Sequence, residues 1–107
     1  MTPFTQRIIT IIKNIPDGKV MTYGQVAELA GNRRAARQVV RILHSMSQKH
    51  GLPWHRVVNV KGQIVIKDDA SYFEQVATLQ SEGVDVSDEG FINLERYQWR
   101  RQEHASH

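Results

Sequence analysis

The sequence predicts an α/β domain that is mainly α: one small unit built on a winged-helix-like helix-turn-helix, with a short β-hairpin. Three observations predict it. Two apolar stripes at helical spacing are separated by a short break at Gly31-Asn32. β-Branched residues crowd into 56–66 around a Lys61-Gly62 turn. The 107 residues contain no repeat and no dividing linker, which leaves room for one domain.

Each element has a local reason. In 4–14 and just beyond, Ile8, Ile9, Ile11, Ile12 and Ile15 recur at nearly helical spacing, with Thr5 as the expected N-cap. Pro16-Asp17-Gly18-Lys19 reads as a turn, and Val20-Met21 as a short extended bridge. Thr22 opens a second helix, where Gln25 completes a capping box. Val26, Ala27, Leu29 and Ala30 form its stripe, and Gly31-Asn32 ends it. A third helix is expected over 33–46. After Gly51-Leu52-Pro53 the hairpin takes 56–60 and 63–66. A helix over 72–82 is expected to face inward with Phe73, Val76, Ala77 and Leu79, and Gly83 caps it. Short extended pieces fill 84–94, and 95–102 holds a last helical turn. The domain is expected to span 1–101, with a polar, disordered tail at 102–107.

Composition excludes several chemistries. There is no cysteine, so disulfides, thiolate nucleophiles and cysteine-held zinc are ruled out. That absence fits a reducing cytosol, and a cytoplasmic location is expected. No apolar run approaches the roughly 20 residues that span a bilayer, and no secretory signal is visible. The histidines at 44, 50, 55, 104 and 107 lack ligand spacing, so neither a metal nor another cofactor is expected. The net charge of +3 is mild, and what matters is where it sits.

It concentrates on the third helix. Arg33, Arg37 and Arg41 stand four apart on one face, with Arg34 beside them. Ala36, Val39, Val40, Leu43 and Met46 fall on the other. Like charges at this spacing repel by a few tenths of a kcal/mol per pair. An anionic surface laid against the helix removes that cost, and DNA supplies one. Ala35 and Ala36 add clearance for a helix entering a groove. Alanine and arginine are also simply good helix formers.

Pro53-Trp54-His55-Arg56-Val57-Val58 resembles the active-site motif of the O6-alkylguanine-DNA alkyltransferases, Pro-Cys-His-Arg followed by valines. Trp54 stands where that family has its alkyl-accepting cysteine. The resemblance covers most of the chain. Tyr23 in Thr22-Tyr23-Gly24-Gln25 matches the family's helix-turn-helix tyrosine. Ala35-Ala36-Arg37-Gln38-Val39 matches the recognition helix with its arginine finger, and Glu82-Gly83 matches the relay glutamate. The missing cysteine, the small size without an N-terminal domain, and the stretch Leu94-Glu95-Arg96-Tyr97-Gln98-Trp99 resemble the alkyltransferase-like branch. Two stretches depart from the pattern: Met46 stands where the family has an asparagine, and Lys67-Asp68-Asp69-Ala70-Ser71 replaces its pocket loop.

The resemblance implies a non-enzymatic sensor, expected to be monomeric, that binds O6-alkylguanine in duplex DNA and flags it for nucleotide excision repair proteins. It implies a lesion pocket of Trp54, Tyr23, His55 and Glu82. Arg37 would enter through the minor groove as the flipping finger. Thr22, Arg33, Arg34, Ala35, Ala36 and Arg41 would hold backbone and groove. Two other readings stay open from the residues. One is a winged-helix regulator of undamaged DNA, reading bases through Arg37 and Gln38. The other is an enzyme with His55 as base, Glu82 as orienter and water as attacker. Arg56 reads as a structural ion-pair partner.

Overall fold

The computed structural model describes residues 1–100, and the expected tail at 102–107 lies outside them. Helix α1 is Pro3–Lys13, followed by strand β1 at Met21–Thr22 and helix α2 at Tyr23–Leu29. Helix α3 is Ala36–His50, and a single 3-10 turn at Trp54–Arg56 leads into strand β2 at Val57–Val58. Helix α4 is Asp69–Ser81 and helix α5 is Leu94–Tyr97. No described helix is long and apolar enough to cross a membrane.

Capping explains most boundaries. The predicted capping box is present: the Thr22 hydroxyl accepts from the Gln25 amide, and the Gln25 side chain accepts from the Thr22 amide. Helix α1 starts earlier than expected. Thr2 is its cap, with Pro3 in the first turn, and Thr5 is buried. Asp68 caps α4 through the Ser71 amide, so the helix begins at Asp69, three residues ahead of the expected start.

Helix α3 begins at Ala36, not at 33. Arg33 and Arg34 belong to the turn that feeds it, so only Arg37 and Arg41 share a helical face. Asn32 causes the delay: its side-chain oxygen accepts the Arg34 amide and its carbonyl accepts the Ala35 amide, and together these close a turn. The helix runs on to His50, where Gly51 adopts the left-handed cap.

The expected hairpin does not form. Its first arm, Val57–Val58, pairs in parallel with Met21–Thr22. All four residues are buried, so this is a two-sided buried ladder that alternation cannot reveal. The turn at 59–63 is real, closed by the Gly62 amide on the Asn59 carbonyl. Its second arm instead turns to another segment: the Ile64 amide donates to the Gly90 carbonyl and Gln63 bridges Phe91, while the Ile92 amide donates to the Gly62 carbonyl in the turn.

The inward face of α4 also differs from expectation. Gln75 and Leu79 are buried, Tyr72 and Val76 pack partly against the core, and Phe73 is 66% exposed. Ala77 is exposed too. Gln75 sits inside because its amide donates to the His55 and Val57 carbonyls, at 3.1 and 3.3 Å. A polar residue therefore occupies a core register that an apolar count skips.

The core has two lobes. Ile8, Ile12, Val26, Val39 and Val57 centre the helical one. Val20, Val58, Leu79, Val84 and Ile92 centre the other. The short sheet contributes to both and joins them.

Gly62 is the tightest point of the second lobe. Its φ is +75°, and a Cβ there would lie 2.5 Å from the Ile92 carbonyl oxygen. Gly62→Ala is therefore expected to cost more than about 2 kcal/mol, through backbone strain and displacement of that segment. Urea unfolding monitored by circular dichroism measures it; a loss within about 0.5 kcal/mol would contradict the close approach.

Candidate nucleic-acid interface

An open cavity of about 610 Å³ lies between α3, the 3-10 turn, the 65–68 segment and the first turns of α4. That is within the size range of small-molecule sites. Trp54 and Tyr23 both line it. Trp54 is half-buried, so its ring is not sealed into the core. Burial pushes the Tyr23 phenol above the ordinary tyrosine value, so the hydroxyl stays neutral at physiological pH.

Most of the other wall residues were not anticipated. Val40, Leu43, His44 and Ser47 come from α3, at spacings that put them on one helical stripe. Lys67, Asp68 and Ser71 come from the loop that departs from the family pattern. Gln75 closes the wall from α4. The sequence signal for the α3 set was its amphipathic period. For Gln75 it was a polar residue four before Leu79. Met46 packs against the helical lobe of the core.

His55 and Glu82 are absent from the lining. They belong to a neighbouring charged network. His55 Nε2 lies 2.8 Å from Glu82 Oε2. Arg56 donates to both Glu82 oxygens, at 3.0 and 2.7 Å, and to the Ile15 carbonyl at 2.8 Å. It also pairs with Asp17. The Gly18 amide donates to Glu82 from a third segment. Arg56 is thus the structural partner that the sequence suggested. Burial pushes the Glu82 carboxyl up, but the bonds from Arg56, His55 and Gly18 outweigh it and hold its pKa at about 2. The same Glu82 bond raises the Arg56 guanidinium further.

The remaining candidates separate by face. Arg37 and Arg41 are exposed on α3, and Arg37 lies one turn before the cavity residue Val40. Arg33 and Arg34 are exposed and line a second groove beside α2. No ion pair among the described residues involves any of these four arginines. Thr22 is 6% exposed with its hydroxyl committed to the cap, and Ala35 is buried in the helical core. Ala35 does not present the surface contact expected of it, whereas Thr22 still lines the second groove. Ala36 is half-buried.

Comparison with known proteins places this geometry. Residues 3–84 match the family model of the 6-O-methylguanine DNA methyltransferase DNA-binding domain. The chain is 48% identical over 96 residues to a DNA base-flipping protein of Escherichia coli, covering 90% of this chain and 74% of that one. It is 33% identical to Alkyltransferase-like protein 1 of Schizosaccharomyces pombe, covering 94% of this chain and 97% of the relative. Among solved structures it superposes on the S. pombe Atl1 complex with damaged DNA containing O6-carboxymethylguanine. The TM-score is 0.84 at 34% identity, over 94% of this chain and 97% of that one.

The ionised Glu82 carboxylate is the charge that three donors require. Glu82→Gln is expected to cost about 2 kcal/mol, because it leaves the half-buried Arg56 with only the exposed Asp17 as counter-charge. The pH dependence has a definite sign. The folded pKa of about 2 lies below the ordinary 4.5, so the stabilisation is complete above pH 4.5 and fades as pH falls toward 2. Thermal unfolding across that window should show a falling midpoint in the wild type and a flatter profile in the variant. Equal acid sensitivity in both would refute the assignment.

Proposed function

The chain belongs to the 6-O-methylguanine DNA methyltransferase DNA-binding family, and from that membership we propose that it is a non-enzymatic sensor of O6-alkylguanine in duplex DNA. One observation carries the reading. Trp54, at the motif position of the family's alkyl-accepting cysteine, walls an open cavity together with Tyr23.

The proposed mechanism follows from these residues. Extruding a base costs a few kcal/mol, and less where alkylation has weakened its pairing. Arg37 enters the minor groove and fills the vacated stack. Tyr23 crowds the adjacent phosphate and turns the nucleotide toward the cavity. Arg41, with Arg33 and Arg34, supplies sequence-independent backbone affinity. Stacking on Trp54 contributes about 1–3 kcal/mol. An O6-alkyl group adds about 0.8 kcal/mol per buried CH₂, which favours damaged over normal guanine.

Direct repair needs a strong nucleophile, and indole is not one. His55 and Glu82 have nothing to activate: Glu82 is saturated by Arg56, His55 and Gly18, outside the cavity wall. In this reading the bound lesion is retained and passed to nucleotide excision repair. The working unit is a cytoplasmic monomer made by residues 1–101.

Matched duplexes with guanine or O6-methylguanine test the reading at one fixed salt concentration. The wild type should prefer the lesion. Arg37→Ala should weaken lesion binding tenfold or more, about 1.4 kcal/mol. Trp54→Ala should narrow the preference. Mass analysis of the bases after incubation with excess protein should find the methyl group in place. Equal affinity for both duplexes would favour a regulator of undamaged DNA, and loss of the methyl group would show an enzyme.

A further inference from the structure

Gln75 is only 2% exposed and holds a core register of α4, yet it also lines the cavity. Its Nε2 donates to the His55 and Val57 carbonyls. Two carbonyl partners fix which way the amide points, because the reverse orientation would set oxygen against oxygen. Oε1 is therefore held as an acceptor, and it has no partner. A buried acceptor left open is costlier than a paired one. A leucine would fill the same register without that cost.

Ser47 repeats the pattern from another element. It lines the same cavity from α3, and its Oγ is buried without a partner. A helical hydroxyl commonly satisfies itself on a carbonyl one turn back. Ser45 does so on Arg41 at 2.9 Å, and Thr78 does so on Glu74 at 2.8 Å. Ser47 does not. Three buried side-chain polar atoms among the described residues lack a partner, and two of them belong to residues that line this one cavity. A few convergent polar groups in an apolar wall are what orients a bound ligand.

O6-alkylation limits what these two atoms can meet. It removes the proton from ring nitrogen N1, so the only N–H donor left on the base is the 2-amino group. The ring nitrogens and the ether oxygen all accept. An open acceptor in the wall therefore has one possible partner on such a base, and a hydroxyl has several.

We propose that Gln75 Oε1 accepts a hydrogen bond from the 2-amino group of the extruded base while the Ser47 hydroxyl donates to a ring nitrogen, so that the cavity selects 2-aminopurines. Adenine carries its amine at C6 instead and leaves Gln75 open. Shielding from bulk water strengthens the bond when it forms and penalises a base that cannot form it. Gln75 thus has two roles: its nitrogen ties α4 to the 3-10 turn, and its oxygen reads the base. The contact rests on the function above in that a base enters the cavity, but not on any preference for the alkyl group.

Binding at one fixed salt concentration tests it, with duplexes carrying O6-methylguanine or O6-methylhypoxanthine, which differ only by the 2-amino group. Each base is placed opposite an abasic site, so that pairing does not differ between them. The wild type should favour O6-methylguanine roughly tenfold. Gln75→Met should bring that ratio close to one. Gln75→Lys should do the same while keeping a donor for the His55 and Val57 carbonyls; its added charge acts on both duplexes alike, so the ratio stays readable. Ser47→Ala should weaken both duplexes by one factor and leave the ratio in place. A purely structural Gln75 would instead weaken both duplexes equally when replaced. The proposal is overturned by a wild type that binds the two duplexes equally, which requires no variant to fold, or by a ratio unchanged in either Gln75 variant. Equal binding of guanine and O6-methylguanine duplexes would defeat the sensor reading, while the 2-amino ratio still decides the role of Gln75.

Discussion

The half-buried carboxylate of Glu82 is the constraint on which the site geometry depends. It stands at the C-terminal end of α4, where the helix dipole disfavours a negative charge. It stays ionised because two segments send donors to it: Arg56 and His55 from the 3-10 turn, and the Gly18 amide from the turn after α1. Arg56 extends the tie to the Ile15 carbonyl and to Asp17. Trp54 is the first residue of that turn, so its ring is aimed by a charge network it does not itself join. The residues that would serve a catalytic relay are occupied in holding the pocket's shape.

Helix α2 does three things with few residues. Its capping box satisfies amides that a seven-residue helix would otherwise leave open. Tyr23 faces the cavity, and Gly24 and Glu28 face the arginine-lined groove. Gln25 ties the cap to the segment after α5, since the oxygen that closes the cap also accepts from Gln98. Folding this helix end and seating that segment are thus one event.

Charge placement separates affinity from preference. Arg33, Arg34, Arg37 and Arg41 carry no ion pair among the described residues, which keeps them available to an anionic partner. The cavity is walled differently, by Trp54, Tyr23, Val40 and Leu43 together with polar groups such as His44, Ser47 and Gln75. An aromatic and aliphatic wall responds to added alkyl surface and hardly at all to a phosphate. The two kinds of surface meet at the first turns of α2 and α3.

Much was legible locally. The capping box at Thr22, the helix-turn-helix and the ionic role of Arg56 follow from short-range pattern, because caps and periods are properties of neighbouring residues. The family motif marked Trp54 and Tyr23, which do share a cavity. Other features depended on distant partners. β2 pairs with β1 across more than thirty residues instead of with its own hairpin arm. Gln75 is buried because the carbonyls of His55 and Val57 are there to receive it. Ala35 turns into the core, and His55 and Glu82 leave the cavity wall for Arg56. Sequence order thus sufficed for the element types, the recognition unit and the absence of a thiol nucleophile. Which side chains face the hollow and which are spent on internal bonds was set by three-dimensional pairing, because that choice depends on which unsatisfied donors and acceptors folding brings together.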